Sequence, residues 1–226
     1  MNLKIAGLSL AALAAAQAPI GLTVDITAPA SGGHAAWQSQ VPYAVTVSYA
    51  GKSTKFGEIP SNAVVLRASY AANADVPPHP APLAEGVAEI SRSNCTGCHD
   101  FKANSAAPSF AAISNRYAGK PTAVASLADH IRSGSHGSWG AGRMPPHPDM
   151  SAAQAAAIAR WIVSSGNDSS VQYSIGKSGS IRMTAPGKPA ARAGLVLSAF
   201  YTGPLKPGDS RTSAAGRNTI VVHGGS

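Results

Sequence analysis

The chain has 226 residues, with 18 Lys+Arg against 10 Asp+Glu, a formal net charge of +8 and two cysteines. Charged residues make up 12% and hydrophobic ones 44%, which excludes a wholly disordered chain. Two cysteines exclude a disulfide-built scaffold, and 23 Gly with 17 Pro imply many turns between short elements.

Residues 1–16 have the pattern of a secretory signal peptide. Lys4 gives the positive start, Ile5 to Leu13 form an apolar run too short for a bilayer, and Ala14 and Ala16 supply an A-x-A cleavage site. Cleavage after Ala18 would leave Pro19 directly after the cut, so cleavage after Ala16 is preferred. A retained N-terminal anchor is the alternative. No other stretch reaches about 18 continuous apolar residues, so no membrane span is expected after cleavage.

Residues 17–75 carry strand patterns. Val41, Tyr43, Val45, Val47 and Tyr49 alternate onto one face, Val64 to Ala68 form a second candidate, and Val24 to Thr27 a third. Residues 76–82 are Pro-rich and predict an extended, semi-rigid linker. From 83 to 168 the period becomes helical. Leu83, Val87 and Ile90 predict a helix leading into Cys95. Pro121 and Gly134 suit the start and stop of a second, and Ser151 with Gln154 is a capping box opening a third, which ends at Gly166.

Residues 169–226 return to strands, through Ile181 and Met183, Leu195 to Tyr201, and Thr219 to Val222. The two strand-bearing regions share short echoes in the same order, such as Asn62-Ala-Val-Val65 and Asn218-Thr-Ile-Val221. About three strands each is thin for an independent domain. One arrangement is that the two halves pack together with the helical region inserted between them. Chance similarity is the other reading of the echoes.

Cys95-Thr-Gly-Cys98-His99 is a C-x-x-C-H motif, the pattern of covalent c-type haem attachment. Two thiols about one helical turn apart can each form a thioether to a haem vinyl group, and the adjacent His then lies under the iron. Zinc would require further Cys or paired His ligands, and a redox dithiol would require a βαβ setting. Neither is present. For the sixth iron ligand the candidates are Met144, Met150, His130, His136 and His147. Met144 sits in Gly140-Ala-Gly-Arg143-Met144-Pro-Pro146, stiffened on one side and open to close approach on the other. That favours it over Met150, which precedes the Ser151 cap and suits packing.

These motifs together resemble a class I monohaem cytochrome c of the small bacterial type, over about 85 residues. The likeness rests on the helix entering Cys95–His99, on Pro108 nine residues after the His, on Gly137-x-Trp139-Gly140 through Met144-Pro-Pro, and on a final helix bearing Trp161. The resemblance implies one haem c held by Cys95 and Cys98, with His99 and Met144 on the iron. It implies that the Pro108 carbonyl accepts from the His99 ring. It also implies that Trp139, with Arg143, orients or neutralises haem groups. Two departures are Ala107, where Gly is common, and His147, where Asn is frequent.

More loosely, the whole arrangement resembles cytochrome modules attached to secreted quinoprotein sugar dehydrogenases, in which Ig- or PKD-like β segments flank the cytochrome. The expected fold is therefore an all-α cytochrome c domain flanked by N- and C-terminal Ig-like β segments. The expected function is periplasmic or secreted single-electron transfer with redox partner proteins, a dehydrogenase as donor and an oxidase or another cytochrome as acceptor. No catalytic residue is assigned. A catalytic haem protein with an open sixth position, or a docking protein with a structural haem, are the rival classes.

The charge is unevenly placed. Residues 17–82 balance, and residues 83–168 are nearly balanced. Residues 169–226 hold Lys177, Arg182, Lys188, Arg192, Lys206, Arg211 and Arg217 against Asp209 alone. These cations are spaced singly, which argues against nucleic acid. They suit a solvated surface or an acidic docking partner.

Overall fold

The computed structural model describes residues 21–49, 52–53, 59–77, 79, 81–203 and 215–225. The signal-peptide pattern at 1–16 lies outside them, as do Lys206, Asp209 and Arg211 of the basic tail.

Five strands precede the helices: β1 (Leu22–Ala28), β2 (Gly33–Ala36), β3 (Gln40–Tyr49), β4 (Lys52–Ser53) and β5 (Val64–Ala71). Then come α1 (Glu85–Arg92), α2 (Phe110–Tyr117), α3 (Ala123–Ser133), the short strands β6 (Ser135–Gly137) and β7 (Gly140–Met144), and α4 (Ala152–Ser165). The chain ends in β8 (Val171–Ile175), β9 (Ser178–Arg182), β10 (Gly194–Tyr201) and β11 (Ala215–Gly225).

The early and late strands share two sheets. In the first, β3 pairs with β1, β4 and β9. In the second the order is β2-β11-β10-β5-β8, with only the β2–β11 pairing parallel. One apolar core joins the sheets. Val41, Tyr43, Val45 and Val47 point into it from the alternating face of β3, against Leu66, Ile181, Leu195 and Leu197. The Tyr43 hydroxyl reaches Ser174 Oγ at 2.8 Å, across 131 residues of chain.

All eight residues of β10 are buried, although their alternation predicts one buried face. The reason is that the second sheet is covered on both sides. Its inner face meets the first sheet. On its outer face Val65 joins the core of the helical unit, and Tyr173 and Ile175 pack against that core. Polar bonds reinforce this join. Thr202 Oγ1 donates to Ala63 O at 3.1 Å and lies 3.1 Å from Ser91 Oγ, while Arg92 Nε donates to Thr202 O at 3.0 Å.

The Pro-rich segment is tied down at both ends. Ala74 is buried and its N–H donates to Arg192 O at 2.7 Å. Arg67 donates to Ala81 O at 2.7 Å and to Pro82 O at 3.2 Å.

The helical unit departs from expectation in three places. It is not all-α, because β6 and β7 form an antiparallel hairpin ending at Met144. It contains α2, which the apolar period does not reveal. The signal there is the cap: Ser109 Oγ accepts from Ala112 N at 3.1 Å, directly after Pro108. And α3 begins at Ala123 with Thr122 as cap, so Pro121 lies two residues ahead of the first helical position. The capping box of α4 forms as its residues predict, with Gln154 N donating to Ser151 Oγ and Ser151 N to Gln154 Oε1. No helix among the described residues is long and apolar enough to cross a membrane.

Candidate functional site

The site begins where α1 meets α4. Gly86 makes the crossing. A Cβ there would lie 2.5 Å from Ala157 O and 2.6 Å from Trp161 Cβ, so only glycine lets the two helices approach this closely. Glu89 is held inside the crossing by Arg92 at 2.6 Å and by Gln154 Nε2 at 2.9 Å. Immediately after α1, residues Asn94–Gly97 tighten into a 3₁₀ turn, which presents the motif.

Cys95 is half-buried against the helical core, Cys98 is exposed, and the two are free thiols. Burial pushes the Cys95 thiol up to about 11. His99 is half-buried. Its Nδ1 lies 2.6 Å from Pro108 O, where it donates to the carbonyl. That bond fixes the tautomer and leaves Nε2 as the ring's free electron-pair donor. The His99 ring also stacks on Phe110, with centroids 5.5 Å apart and planes 23° apart.

Behind Phe110 lies an aromatic block absent from the residue patterns. Phe101 contacts Phe110 at 5.4 Å, Trp161 at 5.9 Å and Tyr173 at 5.3 Å, while Trp161 contacts Phe110 at 5.7 Å and Tyr173 at 5.8 Å. Tyr173 comes from β8, so one ring of the block belongs to the sandwich. Burial raises the Tyr173 phenol, and the Arg67 guanidinium pulls it partly back. Among the described residues Trp161 Nε1 is buried and meets no acceptor at hydrogen-bonding geometry.

The second arm of the site is the β6–β7 hairpin. Met144, half-buried at its end, packs against the same helical core as Cys95. Gly134, with φ +78°, lets the end of α3 pass this segment. A Cβ there would lie 2.8 Å from Met144 O and 3.1 Å from Pro146 N. Arg143 is exposed and sits opposite His136 on the hairpin. An open depression of about 340 Å³ is lined by Gly134, Ser135, His136, Arg143, Met144 and Pro146. Trp139 is 38% exposed, with the Arg116 guanidinium 4.5 Å above its ring. Met150 is buried in the helical core, and its carbonyl accepts from Arg132 Nε at 3.2 Å.

Comparison with known proteins decides the family. The Cytochrome c family model matches residues 84–166. Cytochrome c-552 of Hydrogenobacter thermophilus is 40% identical over 73 residues, which is 32% of this chain and 74% of that protein. The chain belongs to the cytochrome c family. Cytochrome c-552 of Nitrosomonas europaea is 39% identical over 72 residues, 32% of this chain and 70% of that protein. Its crystal structure aligns at 37% identity with a TM-score of 0.33, covering 33% of this chain and 93% of that one. The residues matched by the family model, 84–166, span the helical unit.

Cytochrome c proteins bind haem c covalently and transfer electrons to redox partners. The residues here fit that group. Two unbridged thiols precede a ring whose Nδ1 is tied back, and the ring stacks on Phe110 of a packed aromatic block. Cys95 and Cys98 are the cysteines of the cytochrome c attachment motif.

Proposed function

We propose that the chain is a monohaem c-type cytochrome of the periplasm or the secreted fraction, moving single electrons by outer-sphere transfer, in which His99 and Met144 would hold the iron. It would serve as partner or subunit of a secreted dehydrogenase. The observation that carries the reading is the 2.6 Å bond from His99 Nδ1 to Pro108 O beside the paired thiols, because it orients the imidazole for one metal-facing role.

Bound haem c supplies a one-electron Fe(III)/Fe(II) couple. Cys95 and Cys98 would hold the group covalently, and His99 would donate to it through Nε2. Met144, at the stiff hairpin end, would supply the second ligand to its iron. A thioether ligand there favours a higher potential than a more electron-rich one. Trp139 and Arg143, with the Pro108 carbonyl, orient or neutralise the group's edge. In this reading the chain divides into a signal peptide (1–16), an Ig-like segment (17–75), a linker (76–82), the cytochrome (83–168) and a basic β segment (169–226). Secretion accords with the Lys4–Ala16 pattern.

The test is a reduced-minus-oxidised spectrum of wild type beside Met144→Ala. Loss of the Met–Fe(III) charge-transfer band, with a lowered potential, is expected. An unchanged spectrum would overturn the ligand assignment. The basic β segment supports a second, smaller proposal, docking of an acidic partner. Since β10 is the buried centre of its sheet, deleting the tail would unfold the sandwich. Charge reversal at the exposed Arg182 and Lys188 is the cleaner probe, and an unchanged salt dependence of electron transfer would exclude docking there.

A further inference from the structure

Arg67 lies outside the residues matched by the cytochrome c model, on the outer face of β5. It is 7% exposed. Its guanidinium meets the carbonyls of Ala81 and Pro82 and the ring of Phe200, 5.1 Å from Cζ to the centroid, and the Tyr173 hydroxyl and a second cation, Arg217, also act on it. Among the described residues its buried Nε meets no acceptor. Among the described residues no carboxylate lies within ion-pairing distance of it. Asp168, the acidic group that also acts on Tyr173, is exposed and bonded to Ser170 N and Oγ. Burial lowers the arginine's affinity for its proton, but an arginine starts too high to lose its charge at neutral pH. The sandwich therefore holds a buried cation that is hydrogen-bonded but has no counter-charge, which is costly to keep.

The position of that cation suggests what it does. In the register of β5 and β8, Arg67 stands opposite Tyr173. From Tyr173 the rings run to Trp161 at 5.8 Å, to Phe110 at 5.7 Å and to His99 at 5.5 Å. The middle of this wall, Trp161 and Phe110, is buried and its ends, Tyr173 and His99, are half-buried, so a charge behind it is screened less than a surface charge at equal range.

We propose that Arg67 is a residue of the sandwich that raises the reduction potential of the cytochrome through its buried charge. The proposal rests on the reading that His99 ligates a haem iron. Oxidation adds one positive charge at the iron, and a fixed cation across the aromatic wall disfavours that state. The sandwich is then part of the redox centre's electrostatic environment as well as its support.

The test is the midpoint potential of the full chain carrying Arg67→Gln, which keeps a donor for Ala81 O and removes the charge, beside Arg67→Lys, which keeps the charge. The Gln variant should shift the equilibrium with a fixed-potential donor roughly three- to tenfold toward the oxidised form. The Lys variant should stay near wild type, and both should keep the wild-type spectrum. Raised salt should leave the gap between variants in place. Ser198→Asp is the second arm. Ser198 faces Arg67 across β10, so a carboxylate there neutralises the guanidinium without removing it, and the potential should fall as in the Gln variant. An unchanged potential in both Gln and Asp variants with intact spectra would overturn the proposal. So would a fall in Lys equal to that in Gln, which marks a structural strut. A wild-type spectrum without Met ligation would instead overturn the functional reading beneath it.

Discussion

The helical unit and the sandwich close their cores over different spans of chain. In the helical unit the contacts that shape the motif and the cap are short in sequence: His99 to Pro108 spans nine residues and Ser151 to Gln154 three, while one between helices, Gln154 to Glu89, spans 65. In the sandwich they are long: Tyr43 reaches Ser174 across 131 residues and Thr202 reaches Ala63 across 139. Yet the two ends of the helical insertion emerge side by side. Ser69 stands opposite Val171, and Tyr70 N donates to Ser170 O at 2.8 Å. A folded helical unit thus acts as a short connection between β5 and β8, which reduces the loop-closure cost of their pairing.

The strongest test of that contrast is Leu197→Ala. Leu197 is fully buried in the sandwich core, so its truncation should cost about 2–5 kcal/mol. Amide hydrogen exchange should show the loss in β3, β5 and β10, with far less effect on α1 and α4. Equal loss of protection in both regions would mean that they unfold as one unit, joined through Val65, Tyr173 and Thr202.

The contrast also explains what was legible. The C-x-x-C-H motif, Pro108 and Met144 are local patterns, and their chemistry constrains residue type at fixed spacing. The alternation on β3 was legible because one of its faces is buried. What the residues did not reveal is chiefly non-local. Tyr173 resembles any sheet-face tyrosine until α4 brings Trp161 against it. Arg67 resembles a solvated strand residue until the linker and β10 cover it. Gly86 lacks a visible role until the helix it touches, some 70 residues on, is in place. The β6–β7 hairpin was hidden for a different reason. Its glycines and Pro145 carry no alternation, and its burial pattern is almost wholly exposed.

Gly86→Ala sharpens the comparison from the other side. The added methyl would meet the Ala157 carbonyl, a backbone atom that cannot swing away. The α1–α4 crossing must open, at a cost of about 1–3 kcal/mol. Exchange protection should fall in α1 and α4 while the inner face of the sandwich keeps its own. A neutral or stabilising result, the usual gain of alanine in a helix, would show that the crossing has room and that its closeness is not needed.

The smallest effect belongs to Ser151→Ala. It removes one acceptor at the start of α4, for the Gln154 N–H at 3.2 Å, and leaves the sandwich untouched. About 1 kcal/mol is expected, read as faster exchange in the first turn of α4. Gln154→Ala should cost more than Ser151→Ala despite being the outer residue of the same box. It also removes the 2.9 Å bond from Nε2 to Glu89, leaving that carboxylate with Arg92 alone, and Arg92 is the residue that reaches Thr202 of the sandwich. If Gln154→Ala loosens exchange at Thr202 and Ser151→Ala does not, the cap of α4 is coupled to the sandwich through Glu89 and Arg92. If both changes stay within α4, the two regions meet through apolar packing and the polar chain between them carries no coupling.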